Sequence, residues 1–160
     1  MAILTTSGRT VIAESVAARP IHPAWGSGLA AWDTTPVPES VADSALVNEI
    51  GRRAASQVRY CVPDANGEIV VPTGRFSESV TPTNHIYLRF NFDFFDAPAA
   101  VIRETAVYVG TQTLPGLPGG QMYFEPSQLT SVGTLLVIER FPKFERSASV
   151  RQSFEFVVKF

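Results

Sequence analysis

Few side chains in this chain of 160 residues could do chemistry near neutral pH: two histidines and one cysteine. His22 and His85 stand at no metal-ligand spacing to each other or to Cys61, and a single cysteine is too few for a structural zinc. The expectation is no metal site, no cofactor and no catalytic residue. Cys61 reads as a small core residue in a strand, because one thiol cannot close an internal disulfide. The carboxylates Asp93, Glu104, Glu125, Glu139, Glu145 and Glu155 are scattered. A glycosidase needs two of them facing each other across a cleft, which sequence neither shows nor excludes. The simpler reading is solvated strand faces and ion pairs with Arg89, Arg103 and Arg140. Glycine-rich "WGSG" (25–28) and "PGLPGG" (115–120) lack the strand–loop–helix setting and the lysine of a phosphate loop. "AES" and "SES" lack the flanking glycines of a nucleophile elbow. What remains is Trp25 and Trp32 with His22, in a Pro- and Gly-rich stretch. These three are the candidate partner-interface residues, although the tryptophans could equally pin that stretch onto its own domain.

The elements that must position them follow from periodicity. "TVIAESVAARP" predicts a helix capped by Thr10, with Ile12 and Val16 on one face and Pro20 closing it. "IHPAWGSGLAAWDTTPVP" holds too many prolines and glycines for a long regular element and predicts an extended, ordered arm over the surface. "ESVADSALVNEIGRRAASQ" predicts a second helix: Ser40 and Asp43 match a capping pattern, and Leu46, Val47, Ile50 and Ala54 line one face. Strands follow. "VRYCV" and "EIVVP" flank "PDANGE", where Asn66-Gly67 supplies the positive φ of a tight hairpin. "HIYLRFNFDFF" (85–95) alternates Ile86, Leu88, Phe90, Phe92 and Phe94 with polar residues and Tyr87. Burying five such side chains is worth roughly 1.5–3 kcal/mol each before entropy, so this strand reads as the spine of the core. "VIRETAVYVGT", "QMYFEP", "TLLVIERF" and "RQSFEFVVKF" complete the series, with "LPGLPGG" a loop.

Strand following strand without intervening helix predicts mostly antiparallel sheets. The expected fold is α+β: an antiparallel β-sandwich or half-closed barrel over 58–160, preceded by two helices and a Pro-rich arm over 1–57. The charge balance of −2 offers no basic field for nucleic acid. No apolar run reaches the roughly 20 residues of a membrane span, and no basic segment followed by an apolar run marks a signal peptide. The expectation is a soluble protein made in a reducing cytoplasm.

Several segments together resemble a group of small structural proteins of tailed bacteriophages, the tail, baseplate or tail-fibre-associated proteins. They are "ARPIHPAWGSG", "WDTTPVPES", "LVNEIGRR", "PTNHIYLRFNFDFFDA", "VIRETAVYVGT", "GQMYFEP" and "RQSFEFVVKF". In "IRE-x-x-V-Y-V-G" the family's usual form carries glycine where this chain has Ala106. The resemblance implies a non-enzymatic virion component. It would sit in the tail, in the baseplate or where fibres attach, in several copies contacting other tail proteins, and be made in the host cytoplasm. The alternative drawn from the residues is a carbohydrate-binding β module using Trp25, Trp32, Tyr87 and Tyr108.

Overall fold

The computed structural model describes every residue, Met1–Phe160. It is mainly antiparallel β with one α-helix. In chain order the elements are α1 (Thr6–Ala17), β1 (Ile21–Gly26), β2 (Glu49–Arg53), β3 (Gln57–Pro63), β4 (Ile69–Val71), β5 (Gly74–Ser79) and β6 (His85–Phe92). There follow β7 (Val101–Val109), β8 (Gln112–Thr113), β9 (Tyr123–Phe124), β10 (Leu129–Ser131), β11 (Thr134–Glu145) and β12 (Gln152–Lys159). The chain divides into two compact units. One comprises Met1–Arg19, Ala55–Phe90 and Ser153–Phe160, the other Pro20–Ala54 and Asn91–Gln152.

The first unit is built on a five-stranded sheet in the order β12-β6-β3-β5-β4. The alternation in 85–95 holds as far as Phe92: Ile86, Leu88 and Phe90 are buried, and Phe90 stacks between Phe154 and Phe156 at ring separations of 5.6 and 5.5 Å. The opposite face of β6 is buried as well at its start. There Tyr87 joins Cys61, Val71 and Phe76 in a second small cluster. β5 lies between β3 and β4, so the turn at 63–68 does not join a hairpin; the tight turn is Pro72-Thr73, between Val71 and its partner Gly74. Asn66 and Gly67 keep negative φ, against expectation. Gly67 is required for a different reason: a Cβ there would meet the Phe76 carbonyl at 2.2 Å. Helix α1 starts earlier than its sequence signals. Its cap is Thr5, whose Oγ1 accepts from Gly8 N at 3.1 Å, and among its residues only Ala13 is buried.

The second unit holds the sheet β11-β7-β1-β2-β9, antiparallel throughout, and a small β8–β10 pair. Two expectations are corrected here. The surface arm does not exist as such: Ile21–Gly26 is the middle strand of this sheet, buried along its whole length. A strand covered on both faces shows no alternation, and so does not read as a strand. Pro23 is tolerated because pairing to β2 begins only at Ala24, leaving it one strand neighbour, Val107. Nor is there a second helix. Ser40 and Asp43 form their turn, with Ser40 N donating to Asp43 Oδ2 at 2.9 Å, but the turn does not propagate. Leu46 N donates to the hydroxyl of Tyr108 and Val47 N to Glu104, both on β7. Asn48 takes φ 55° and Glu49–Arg53 continues as β2. Gly51, a residue that costs a helix interior roughly 1 kcal/mol, faces the Tyr123 ring so closely that a Cβ would lie 2.2 Å from its hydroxyl.

Candidate partner interface

The three candidate interface residues lie inside the second unit. Trp25 is wholly buried; its ring stacks on Phe92 at 3.4 Å and its Nε1 donates to the Tyr123 hydroxyl at 3.1 Å. Trp32 is buried beneath the guanidinium of Arg140, 5.1 Å above its ring. His22 packs edge-on to Phe124, with Nδ1 buried and without a hydrogen-bond partner. Burial, then the charge of Arg52, pushes its pKa down to about 4, so it is neutral at pH 7. Sequence therefore located residues that organise this unit from within. Tyr87 and Tyr108 are buried too, so the four rings that would stack on a sugar offer it no face.

Charged side chains frame the same unit. Arg52, fully buried on β2, makes a two-pronged ion pair with Glu49 at 2.8 and 2.7 Å. Its remaining nitrogen donates to Thr111 Oγ1 at 2.8 Å and the Val132 carbonyl at 2.6 Å, and the guanidinium carbon lies 4.1 Å from the centre of the Tyr108 ring. Three residues of β7 and β11 then clamp the loop between β1 and β2. Arg103 Nε donates to Asp33 at 2.6 Å and its Nη1 to the Ser27 carbonyl at 2.7 Å. Arg140 reaches Asp43 at 3.0 Å and the Pro38 carbonyl at 3.2 Å, while its backbone N donates to Glu39 at 2.7 Å. Glu104, between Val47 N and Arg140, is fully buried; desolvation raises its pKa while those two donors oppose the rise. Arg103, then Lys143, holds the Asp33 carboxyl below its ordinary value. A loop fixed at so many points presents its exposed tips, Leu29, Val37 and Val41, in one geometry.

A second tip is built the same way. After β6 the chain turns through 93–97, where Ala97 adopts φ 47°. Asp96 accepts from Arg53 at 2.5 Å and from Asp93 N at 2.6 Å, and Arg146 donates to the Asp93 carbonyl at 2.6 Å. Arg151 pairs with Asp93 at 3.0 Å and covers the Phe94 ring at 4.7 Å. Above this base Phe95 stands 86% exposed. An aromatic ring held out on a braced turn is what a protein interface uses as an anchor, since little side-chain and loop entropy remains to be lost on docking. Sequence reasoning missed it, yet a signal exists: Phe95 follows Phe94 directly and so falls on the wrong parity of the buried row.

Each carboxylate described above is engaged by arginine or backbone donors. No helix is long and apolar enough to cross a membrane. No curated protein matches the chain. The family model described as "Baseplate wedge 3 tail fiber network component" matches residues 1–160, and the chain belongs to that family.

Proposed function

We propose that this chain is a non-enzymatic structural subunit of a bacteriophage baseplate, built into the tail-fibre network and docking on other tail proteins through the braced loop tips of its second unit. The family supports a structural role in the baseplate and a place among tail proteins. The observation that carries the docking reading is Phe95, almost fully exposed on a turn held by Asp96, Arg53, Arg146 and Arg151. A monomer gains nothing from exposing a phenylalanine there, whereas a partner that covers it gains roughly 1.5–3 kcal/mol from the ring alone. Val41 on the clamped loop and Val150, beside Arg151, are further exposed apolar tips. His22, Trp25 and Trp32 enter this account as the packing that holds the tips in place, and any part they take in an interface passes through what they support.

The test is incorporation. Phage carrying Phe95→Asp should produce a folded protein, its stability within about 0.5 kcal/mol of the parent because the position is exposed, that is depleted from purified virions by mass spectrometry. Undiminished incorporation would remove Phe95 from the interface. Absence of the unaltered chain from purified virions would remove the baseplate role itself.

A further inference from the structure

Most cations of this chain are already engaged. Of its 13 Lys and Arg residues, Arg52, Arg53, Arg59, Arg89, Arg103, Arg140, Lys143 and Arg151 pair with carboxylates. Arg146 is bonded to carbonyls. Arg9 lies on α1 and Arg19 just after it, and neither lines the cleft described next. Arg75 and Lys159 are the exception: two cations without a carboxylate partner that converge on one cleft, of about 460 Å³, in the first unit. Its walls are apolar, Pro63, Phe76 and Val157, with His85 on its floor packed 5.8 Å from the Phe76 ring. No acidic residue lines it.

The cleft is preset. Arg75 Nε donates to the Gly67 carbonyl at 3.1 Å, which fixes the stem and leaves both terminal nitrogens of the fork unbonded. Asp64, the carboxylate that feels Arg75, has one oxygen taken by Ser77 Oγ at 2.6 Å and the other by Asn66 N at 2.9 Å. The Thr83 hydroxyl holds the backbone of His85 on both its N–H and its carbonyl. The imidazole is kept neutral by burial and then by Lys159, a bias that an anion in the cleft would relieve. In a chain whose net charge is −2, two cations without a direct carboxylate partner between apolar walls are complementary to an anion with a greasy neighbour.

We propose that this cleft is a socket for an acidic side chain, an aspartate or glutamate flanked by an apolar residue, on a segment of a neighbouring tail protein. A guanidinium fork receives a carboxylate through two parallel hydrogen bonds, Lys159 adds a second charge, and Phe76 and Val157 receive the apolar neighbour. The choice of a protein occupant rests on the baseplate reading above.

The experiment places a photoreactive phenylalanine analogue at exposed Thr73, on the rim, and irradiates purified virions carrying the full chain. The expected result is a cross-link to a tail protein within two residues of an aspartate or glutamate. In the Arg75→Glu/Lys159→Glu background its yield should fall about tenfold, equivalent to two exposed ion pairs of about 0.7 kcal/mol each. Arg75→Gln/Lys159→Gln, which inserts no repulsion, should give an intermediate loss and separates charge from misfolding. If the chain is present in virions but the probe reaches no tail protein, attaches to a saccharide, or cross-links undiminished after both changes, the socket is refuted while the baseplate role stands. If the chain is absent from virions, it is the baseplate role that fails.

Discussion

Removing the Arg52 side chain should be among the most damaging single changes in the second unit. The guanidinium is fully buried and all three of its nitrogens are bonded: Nε and Nη2 to Glu49, Nη1 to Thr111 and the Val132 carbonyl. In Arg52→Ala the Glu49 carboxylate, only 15% exposed at its side chain, loses its counter-charge. The Val132 carbonyl keeps only the Thr111 hydroxyl at 3.1 Å, and Tyr108 loses the cation over its ring. Breaking a buried pair by deleting one member costs about 3–5 kcal/mol, against a net stability of about 5–15 kcal/mol for a domain. At about 2–4 °C per kcal/mol for a chain of this size, the melting midpoint should drop by roughly 6–20 °C. Urea denaturation followed by tryptophan fluorescence reads the effect directly, because both tryptophans, Trp25 and Trp32, are buried in this unit. The double change Glu49→Gln/Arg52→Met should cost less than Arg52→Ala alone, since it removes both charges and keeps the stem over Tyr108. A loss below about 1 kcal/mol for Arg52→Ala, or a double variant worse than the single one, would refute the assignment of Arg52 as the electrostatic keystone.

Arg140→Ala should release the loop between β1 and β2. It deletes the side-chain bonds to Asp43 and Pro38 and strands buried Glu104, so amide exchange across 37–47 should accelerate by at least about tenfold, with little change in β3 or β5. Acid should destabilise the second unit through His22. Its folded pKa of about 4 lies below the ordinary histidine value of 6.5, so between these values the unfolded chain binds the proton first and stability drops as the pH is lowered. The full contribution is about 3 kcal/mol by pH 4. His22→Phe should flatten the difference in urea midpoint between pH 7 and pH 4.5, and an unchanged slope would dismiss the histidine as its source.

The longer strands from 57 onward were legible because they carry their own pattern, whereas the short β8 and β10 were not read as strands. Ile86, Leu88, Phe90 and Phe92 alternate, and proline or glycine punctuates the ends. What misled was context carried from far along the chain. The segment 40–54 has the cap and stripe of a helix, but the N–H groups of Leu46 and Val47 are claimed by Tyr108 and Glu104, some sixty residues away. Long-range bonds of this kind leave no trace in local periodicity. The stretch 21–26 fails for the opposite reason: buried on both faces, with a proline inside, it resembles a loop. Trp25 and Trp32 stood out by residue type, yet bulk is as useful to a core as to an interface. Phe95 differs from its neighbours only in parity.

A reconstruction of the assembled tail tests the central claim most directly. The account predicts this chain at the baseplate, in several symmetry-related copies, with the Phe95 ring covered by a neighbouring tail protein and the 93–97 turn in the conformation described here. A baseplate without the chain, or one in which the chain is present while Phe95 and the 27–48 loop face only solvent, would contradict it.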